Sequence, residues 1–538
     1  MRILIFHGYL LGGTGSNVYN ANLAAALVEV GHQVHLLCQE PAPFDYDFVD
    51  ARATWRNGSL EIEARRDVVR CTVYRPDIGG LLPVYVADRY AGVEARTFPE
   101  LTDSELERYL AANVQAVAEV ARRATPEVAL ANHLVMGPVI LARALGGGDG
   151  APYAVKVHGS ALEYTVKPHP RFLPYAREGI APARAVLVGS GHTARSLWAA
   201  MEDPELSART RLGPPGVDVS AFAPRTREEA AAGLWALAER LEEDGDSAGA
   251  PEPEPAFSRD RAEAARALRR LGSQDDGLVA FVGKLIVAKG IDLLLAAWPL
   301  VLERVRRARL VVVGFGAFRA PAERLVTDLA EGDLQAVGEL AARGRAAEGG
   351  PAGALRHLQG FLKALADDPE RRTAYLAAAR TLPDHVVFTG RLEHSELAHL
   401  LPACDALVVP STFPEAFGMV AAEAAACGAL PISAEHSGLA EVSHALAAAV
   451  PAPARPLLSF ALGPQAVDDL AGRITDWLQA PASLRRETRR ALVDTARERY
   501  SWEGVAHGVI AAAQGCLDAL PRADGDDAPE ARDPGTLG

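Results

Sequence analysis

Short apolar runs alternate with amphipathic helical patterns along most of the chain. A first series of runs predicts strands over 2–8, 33–39, 128–133, 153–159 and 185–190, with a helix over 17–31. A second series predicts strands over 277–284, 308–316, 385–392, 405–411 and 429–435. Most of these runs are apolar throughout, which is typical of parallel strands covered by helices on both faces. The pattern predicts an α/β protein with two Rossmann-like, doubly wound domains facing a cleft.

Two stretches interrupt this alternation. Residues 242–258 are acidic and rich in Pro, Gly and Ala, and they bury too little apolar area to offset their ordering entropy, so we expect disorder there. Residues 317–384 are mostly helical by pattern where one crossover helix would suffice. The resulting domain prediction is a first domain at 1–220, a partly disordered insertion or linker at 221–275, a second domain at 276–498 with a helical insertion at 317–384, a C-terminal helix at 499–520 and a disordered tail at 521–538.

Composition narrows the class of function. The 538-residue chain has a net charge of −14, which argues against a general nucleic-acid binder. No apolar run of about 18 residues is present, so we expect no integral membrane segment. The five cysteines are odd in number and lack metal-ligand spacing, which favours a reducing compartment and hence the cytoplasm: Cys38, Cys71, Cys404, Cys427 and Cys516.

Two carboxylates stand out in the segment PEAFGMVAAEAAACGALP, residues 414–431. Glu415 follows a predicted strand, whereas Glu423 lies in an alanine-rich helix that Gly428 ends. Ligands of doubly wound sheets bind outside the carboxyl ends of the strands, where this loop lies. A carboxylate at Glu423 could accept both hydroxyls of a ribose, and Glu415 could bind hydroxyls of another sugar.

The start of this helix is suited to an anion. Backbone N–H groups near Phe417, Gly418 and Met419 open the helix and form a natural seat for phosphate. Gly418 lacks a side chain and lets the backbone approach its ligand. The two glutamates and the helix start therefore predict a nucleotide-sugar site.

The segment resembles the Glu-x7-Glu motif of retaining GT-B glycosyltransferases of family 4, the group 1 glycosyl transferases. The segment FVGKLIVAKGIDLLLAA, residues 281–297, is similar to the family's Gly-Arg-x4-Lys-Gly block, with Lys284 in the arginine's place and Lys289 as the lysine. The segments LVVVGFG, VVFTGRL and CDALVVPS follow in the family's order, YSWEGVA at 500–506 is similar to its closing helix, and GGTGSN and VKVHGS are similar to its first loop and histidine loop.

Three positions depart from the family pattern. Pro215 replaces the asparagine of a Pro-Asn-Gly-Val-Asp turn, and Ser437 stands where a second glycine is usual. Lys284 keeps the arginine's charge but loses its bidentate fork at a phosphate. None of these changes removes the two glutamates or Lys289.

The resemblance implies transfer of a hexose-type sugar, with retention, from a nucleoside-diphosphate sugar to a hydroxyl acceptor bound by the first domain. It implies no metal and no cofactor, because lysines and a helix N-terminus stabilise the leaving diphosphate. The catalytic residues implied are His158, Lys289 and Glu415. The implied donor-binding residues are Gly12, Gly13, Lys284, Lys289, Arg391, Leu392, Glu415, Phe417, Gly418, Met419 and Glu423.

Other interpretations remain open. Asp-x-Asp triplets at 45–47, 244–246 and 524–526 are metal-site candidates in loop-like sequence, and His133 is interpreted as structural. A dinucleotide-binding dehydrogenase is suggested by GGTGSN after the first strand and by Glu40 near the end of the second, but its fingerprint would need a third glycine where Val18 stands. A GT-B sugar phosphorylase, a sugar-phosphate synthase and a non-catalytic nucleotide-sugar-binding protein share the scaffold. The sequence leaves open the donor base and sugar, the acceptor, membrane association and the oligomeric state.

Overall fold

The structure, a computed structural model, describes residues 1–13, 15–56, 58–85, 94–146, 150–243, 259–271 and 277–524. The chain divides into two compact units. The first combines Met1–Gly216 with the chain from Tyr500 onward, and the second is Val217–Arg499. Each unit is built around its own parallel sheet.

The first unit alternates strands and helices. Its strands are β1 (Arg2–Phe6), β2 (Gln33–Leu37), β3 (Ala51–Arg56), β4 (Ser59–Ala64), β5 (Cys71–Arg75), β6 (Leu81–Val84), β7 (Glu94–Thr97), β8 (Val128–Asn132), β9 (Tyr153–Lys156), β10 (Ala185–Val188) and β11 (Thr210–Leu212). Its helices are α1 (Gly15–Glu29), α2 (Asp103–Ala124), α3 (Gly137–Leu145), α4 (Gly159–Ala161), α5 (Leu173–Ile180), α6 (Gly191–Met201) and, near the C-terminus, α20 (Trp502–Gln514).

The main sheet of the first unit has the strand order β11-β10-β9-β8-β1-β2-β5-β3-β4 among the described residues. All neighbours are parallel except β3 and β4. Along β1, Leu4 and Phe6 face one core cluster while Ile3 and Ile5 face another, because successive strand residues point to opposite faces. Both faces are thus covered, as the apolar runs predict.

The last helix returns to the first unit. Ser501 caps α20 by accepting a hydrogen bond from the Gly504 N–H, and α20 packs against α1, β8 and β9. Trp502 is buried beside Tyr19, with ring centroids 5.5 Å apart. A Cβ on Gly216 would lie 2.5 Å from the Trp502 ring, so only glycine allows the preceding turn to pass so close. The predicted C-terminal helix is therefore part of the first unit's core.

The second unit follows the same alternation. Its strands are β12 (Leu278–Val282), β13 (Arg309–Val313), β14 (Val386–Gly390), β15 (Ala406–Val409), β16 (Leu430–Ala434) and β17 (Ser459–Phe460). Its helices are α7 (Arg227–Glu243), α8 (Arg261–Arg269), α9 (Ile291–Arg304), α10 (Arg319–Glu331), α11 (Leu334–Arg343), α12 (Arg356–Asp367), α13 (Pro369–Ala379), α14 (Leu382–His385), α15 (His394–Leu400), α16 (Met419–Cys427), α17 (Ser437–Ala449), α18 (Ala466–Leu478) and α19 (Ala482–Tyr500).

The sheet of the second unit is parallel throughout, in the order β14-β13-β12-β15-β16-β17. Numbered within the unit, this is the doubly wound order 3-2-1-4-5-6. The order reverses between β12 and β15, the position at which doubly wound sheets bind their ligands. A ligand of this unit is therefore expected beside the carboxyl ends of β12 and β15.

The predicted α/β class with two doubly wound sheets is confirmed, and the ten predicted strands all exist. The observed strands end one to three residues earlier than predicted, as at β9, which stops at Lys156 rather than at residue 159. Strands β3 to β7, β11 and β17 were not predicted. The edge strand β4 alternates Glu61 and Glu63 with apolar residues and is largely exposed, so it lacks the continuous apolar run of a covered strand.

Two predicted insertions have regular structure in their described parts. Residues 221–275 are not merely a linker, because α7 and α8 lie within this range, pack on each other and contact α15 and β14. Residues 317–384 form five helices, α10–α14, of which α10 and α13 pack against α9. The predicted disorder at 244–258 and 525–538 lies outside the described residues.

Candidate active site

A tight turn brings Lys289 to the reversal point of the second sheet. Residues 287–289 form one turn of 3-10 helix after β12, and Gly290 follows in the left-handed conformation at φ 67°. A Cβ on Gly290 would clash with the carbonyl oxygen of Pro410, which follows β15. The Thr412 N–H donates to the Ala288 carbonyl at 2.9 Å. These contacts join the loops after β12 and β15.

Lys289 and Glu415 are ion-paired across these two loops. The Glu415 carboxylate also accepts a hydrogen bond from the Ser411 hydroxyl at 2.7 Å. Their side chains are 31% and 21% exposed, so both are sheltered but reachable by a ligand. The structure thus brings together a predicted catalytic lysine and a predicted catalytic carboxylate that lie 126 positions apart in sequence.

Ser437, the departure from the family's glycine, holds this loop in place. It has a positive φ of 52°, a conformation that glycine adopts without strain. Its hydroxyl accepts the Glu415 N–H at 2.9 Å and contacts His436 Nδ1 at 3.0 Å. The neighbouring Gly438 N–H donates to the Glu415 carbonyl at 2.9 Å. The serine therefore adds a side-chain hydrogen bond that glycine could not supply.

Glu423 is buried in α16 with only 2% of its surface exposed. His394 Nε2–H donates to its carboxylate at 2.8 Å. The His394 ring packs on Phe222, with centroids 4.9 Å apart. Burial alone would lower the pKa of His394, but the hydrogen bond to Glu423 and the charges of Glu423 and Asp218 outweigh it and raise the pKa above 6.5. A solvated helix carboxylate is thereby excluded for Glu423.

The start of α16 presents backbone donors. Gly418 is the N-cap and offers no side-chain cap, so the first N–H groups of the helix have no side-chain acceptor at that position. A Cβ on Gly418 would lie 3.0 Å from Leu439 Cδ2, so this glycine also lets α16 pack closely on α17. Phe417 and Met419, the flanking predicted donor-binding residues, are half-buried.

Two further predicted donor-binding cations approach one aromatic ring. Lys284 Nζ and the Arg391 guanidinium carbon each lie 5.9 Å from the Phe315 centroid. These residues follow β12, β14 and β13, so three neighbouring strand ends converge here. Arg391 also pairs with Glu393 at 2.9 Å, and the next residue, Leu392, is buried. The second unit therefore places two positively charged side chains near the carboxyl end of β12, the strand that precedes Lys289.

The predicted glycine loop of the first unit follows β1. Gly13 has a positive φ of 95°, and a Cβ on Gly12 would lie 3.2 Å from the Tyr46 hydroxyl. Asn17 Nδ2–H donates to the Gly12 carbonyl at 2.6 Å. The Leu11 N–H donates to one oxygen of the Glu40 carboxylate at 3.0 Å, and the Ala42 N–H donates to the other at 3.2 Å. Glu40 therefore holds this loop, and both of its oxygens are already hydrogen-bonded within the chain. That assignment removes the acidic residue from the dehydrogenase interpretation.

His158 caps the short helix that follows β9. Its Nε2–H donates to Asn132 Oδ1 at 2.9 Å, while Asn132 Nδ2–H donates to the Phe6 carbonyl at 3.3 Å. This pairing leaves Nδ1 of His158 without a proton. Burial, with smaller contributions from neighbouring His133, Lys156 and His7, holds the pKa of His158 well below 6.5. The ring is therefore a neutral hydrogen-bond acceptor near pH 7.

His133 and His7 complete a cluster of histidines with His158, which the sequence analysis did not predict. His133 has a positive φ of 69° and is 1% exposed. Its ring lies 4.9 Å from His158 and 5.6 Å from His7, centroid to centroid. Among the described residues neither ring nitrogen of His133 has a hydrogen-bond partner. The cluster lies at the ends of β1, β8 and β9, where the strand order of the first sheet reverses.

The metal candidates are only partly within the structure. Asp45 and Asp47 are exposed on a surface turn. The triplet at 244–246, and residues 525 and 526 of the last triplet, lie outside the described ranges. In the part of the chain that is described, no group of three or more His, Cys, Asp or Glu side chains is arranged to hold a metal ion. Within the same ranges, no helix is both long and apolar enough to cross a membrane.

The sequence analysis missed the residues that position the predicted ones. His394, His436, Ser411 and Asn132 each hydrogen-bond a predicted site residue or its loop. Only weak signals preceded them: His394 lies three positions after Arg391 in the segment TGRLEH, and Ser437 stood out as a departure from the family pattern. Except for Ser411, which lies four positions before Glu415, these residues lie 25 or more positions from their partners and leave no local pattern.

Two sequence models of glycosyltransferase families match the chain. The model of the glycosyl transferases group 1 family matches residues 360–499, which include Arg391, Glu415 and Glu423. The model of the glycosyl transferase 4-like domain matches residues 14–205, which include His158. Each of the two units thus contains a match to a glycosyltransferase family model, and the two sheets match structures of the GT-B class.

Curated relatives match part of the chain. An uncharacterized glycosyltransferase of Methanocaldococcus jannaschii is 27% identical over 248 residues, which are 45% of this chain and 46% of that protein. A glycogen synthase of Mycobacterium tuberculosis is 31% identical over 159 residues, which are 29% of this chain and 34% of that protein. The matched regions thus span less than half the length of either relative.

Solved structures share the fold over nearly the whole chain. A sucrose-phosphate synthase from Thermosynechococcus elongatus is 19% identical, covers 96% of this chain and 99% of its own, and has a TM-score of 0.55. HepE from Anabaena in complex with UDP is 15% identical, covers 97% of this chain and 100% of its own, and has a TM-score of 0.54. At these levels of identity the likeness shows that the chain shares the fold of these proteins.

Proposed function

We propose that the chain is a retaining glycosyltransferase that moves a hexose-type sugar from a nucleoside-diphosphate sugar to a hydroxyl acceptor, without a metal or a cofactor. The observation that carries the proposal is the cluster at the β12/β15 reversal point. A lysine–glutamate pair, a helix N-terminus without a side-chain cap and a buried carboxylate meet there. HepE has been solved with UDP-glucose, which supports a donor of this type. A cytoplasmic location stays a prediction.

In this proposal Glu423 binds the donor's ribose. His394 occupies one of its carboxylate oxygens at 2.8 Å and fixes the direction of the other. An ionised carboxylate accepts hydroxyl hydrogen bonds that contribute about 1.5–3 kcal/mol each. Burial lowers the pKa of His394, but the hydrogen bond and charge of Glu423 outweigh it and favour the charged form of the ring. Phosphates would then follow toward the start of α16.

Stabilisation of the leaving group is assigned to Lys289, Lys284 and the N–H groups of α16. Negative charge grows on the diphosphate as the sugar departs, and fixed cations and dipoles stabilise that charge without reorganising. Glu415 keeps Lys289 oriented in the absence of donor. When donor binds, Glu415 accepts hydroxyls of the transferred sugar, so one carboxylate links the sugar to its leaving group.

The first unit supplies His158 and the glycine loop in this proposal. Neutral His158 offers Nδ1 as an acceptor to a sugar hydroxyl, because its proton is on Nε2, which donates to Asn132 Oδ1. Gly12 and Gly13 leave room for the acceptor. The acceptor attacks from the face that the diphosphate leaves, and the departing phosphate takes its proton. No protein base is then needed.

The proposal is tested by thermal stabilisation with UDP-, GDP- and ADP-sugars. We expect one nucleotide series to raise the Tm and the corresponding Glu423→Ala variant to lose most of that shift. Stabilisation by NADH instead of any nucleotide sugar would favour a dehydrogenase. Donor binding without release of nucleoside diphosphate would identify a non-catalytic binding protein.

Metal independence has its own test. Transfer activity is measured with purified chain before and after treatment with a chelator. We expect the rate to remain largely intact. Complete loss that a divalent cation restores would contradict the assignment of the leaving group to lysines. Phosphate-dependent cleavage of a disaccharide would identify a phosphorylase, and a sugar phosphate as the best acceptor would identify a sugar-phosphate synthase.

A further inference from the structure

A cavity of about 280 Å³ lies in the first unit beyond the residues assigned above. Its lining comes from the carboxyl ends of three neighbouring strands and the segments that follow them. Thr54 and Trp55 come from β3, Arg75 ends β5, and Gln39 follows β2. The cavity therefore opens on the same edge of the sheet as the glycine loop after β1.

The chemistry of the lining suits a neutral, polyhydroxylated compound. Arg75 and Asp77 give one positive and one negative charge, which sum to zero. Gln39 Nε2–H donates to the Pro76 carbonyl at 2.9 Å, which orients the amide oxygen as an acceptor. The nearby Arg52 and Arg66 pair with Glu63 and Asp50, whereas no ion pair of Arg75 is found among the described residues. Donors and acceptors are thus both available to hydroxyl groups.

Trp55 adds a flat apolar surface to the cavity. Its indole Nε1–H donates to the Glu119 carboxylate at 2.8 Å, which fixes the plane of the ring from the side of α2. The side chain is only partly buried against the core. A held aromatic ring beside hydrogen-bonding groups suits a ligand with one apolar and one polar side, such as a sugar ring.

The cavity is linked to the glycine loop by direct hydrogen bonds. The Gln39 N–H donates to the Tyr9 carbonyl at 2.7 Å, and the next residue, Glu40, holds the Leu11 N–H. In the sheet, β5 is the second strand from β1, so the cavity lies about 10 Å from the end of β1. A ligand that reaches both places is longer than a single sugar.

We infer that this cavity is a remote subsite for an extended, neutral oligosaccharide acceptor. The inference rests on the proposed function, because the acceptor's reacting hydroxyl lies near the glycine loop while the cavity holds a sugar unit farther along the chain. Trp55 packs against that unit, and Arg75, Asp77 and Gln39 bind its hydroxyls. The enzyme would accordingly prefer oligosaccharides over monosaccharides as acceptors.

The test is direct binding of neutral trisaccharides to the full chain by saturation-transfer NMR and calorimetry. The probes are maltotriose, cellotriose, xylotriose and mannotriose, each with its monosaccharide, and octyl glucoside. We expect at least one trisaccharide to bind at least tenfold more tightly than its monosaccharide. Trp55→Ala and Arg75→Ala should each weaken that binding at least tenfold, and Trp235→Ala, at an exposed tryptophan of the second unit, should not.

Several results would overturn the inference. The first is that no trisaccharide binds. The second is that Arg75→Ala binds the trisaccharide as the parent does, since this exposed side chain can be removed without disturbing the core. The third is that octyl glucoside binds as tightly as the best trisaccharide. The last result would identify a lipid-type occupant. Nucleoside-diphosphate binding is measured on the same samples. Intact nucleotide binding without trisaccharide binding refutes only this subsite, whereas loss of both refutes the proposed function as well.

Discussion

The buried carboxylate of Glu423 gives the sharpest test of donor recognition. Glu423→Gln keeps the size of the side chain and an oxygen that can accept the His394 Nε2–H, but it removes the charge. A charge-assisted hydrogen bond contributes about 1.5–3 kcal/mol and a neutral one about half as much. Summed over two ribose hydroxyls, the loss is about 1.5–3 kcal/mol. Nucleotide binding should therefore weaken about 10- to 150-fold.

The assay is calorimetric titration with the nucleoside diphosphate that stabilises the parent chain best. A matched control is Glu435→Gln, because Glu435 also faces a histidine, His444, at 3.7 Å, but on the surface of the same unit. The control should change the Kd less than twofold. A folded Glu423→Gln variant that binds nucleotide with the parental Kd would refute the role of Glu423.

Three other predictions concern the turn, the pair and the histidine. Lys289→Ala should lower kcat about 100-fold or more while the donor Kd changes little, because the missing cation acts on the growing charge of the leaving group. The control Lys363→Ala, at an exposed lysine, should leave kcat unchanged. A parental rate for Lys289→Ala would contradict this role. Gly290→Ala should lower the free energy of unfolding, measured in urea, by well over 1 kcal/mol, because strain at φ 67° adds to a backbone clash. The control Gly349→Ala, at φ 80° with open space around it, should lower the same free energy by about 1 kcal/mol. Equal losses in the two variants would contradict the clash. The pKa of His394 in the folded chain lies above 6.5, so its pairing with Glu423 stabilises the fold fully at lower pH and less as the pH rises through that pKa. The Tm difference between the parent and His394→Gln should therefore shrink from about pH 5 to pH 9. A constant Tm difference would exclude the charged pair.

The sequence predicted the architecture because burial on two faces leaves a local trace. Runs such as Ile3–Ile5 are apolar regardless of register, so the strands were recognisable one at a time. Strand β4 failed that test because its side chains are exposed. Strand ends were predicted too late, since residues such as Val157 continue an apolar run after the backbone has left the sheet.

The site was predictable where chemistry is concentrated in one segment. The two glutamates and the helix start share residues 415–427, and the resemblance to a known family named their roles. The pairing of Lys289 with Glu415 and of His394 with Glu423 could not be foreseen, because the members lie 126 and 29 positions apart. Such pairs depend on the strand order, which places β12 beside β15 and cannot be deduced from either segment alone.

The central claim is that charges at the β12/β15 reversal point drive sugar transfer from a nucleoside diphosphate. It is tested most directly by proton NMR of the purified chain incubated with each nucleoside-diphosphate glucose and a mixture of hydroxyl acceptors. The account predicts release of one nucleoside diphosphate together with a glycoside that keeps the donor's anomeric configuration. A product of inverted configuration, or no nucleotide release with any donor and acceptor, would contradict it.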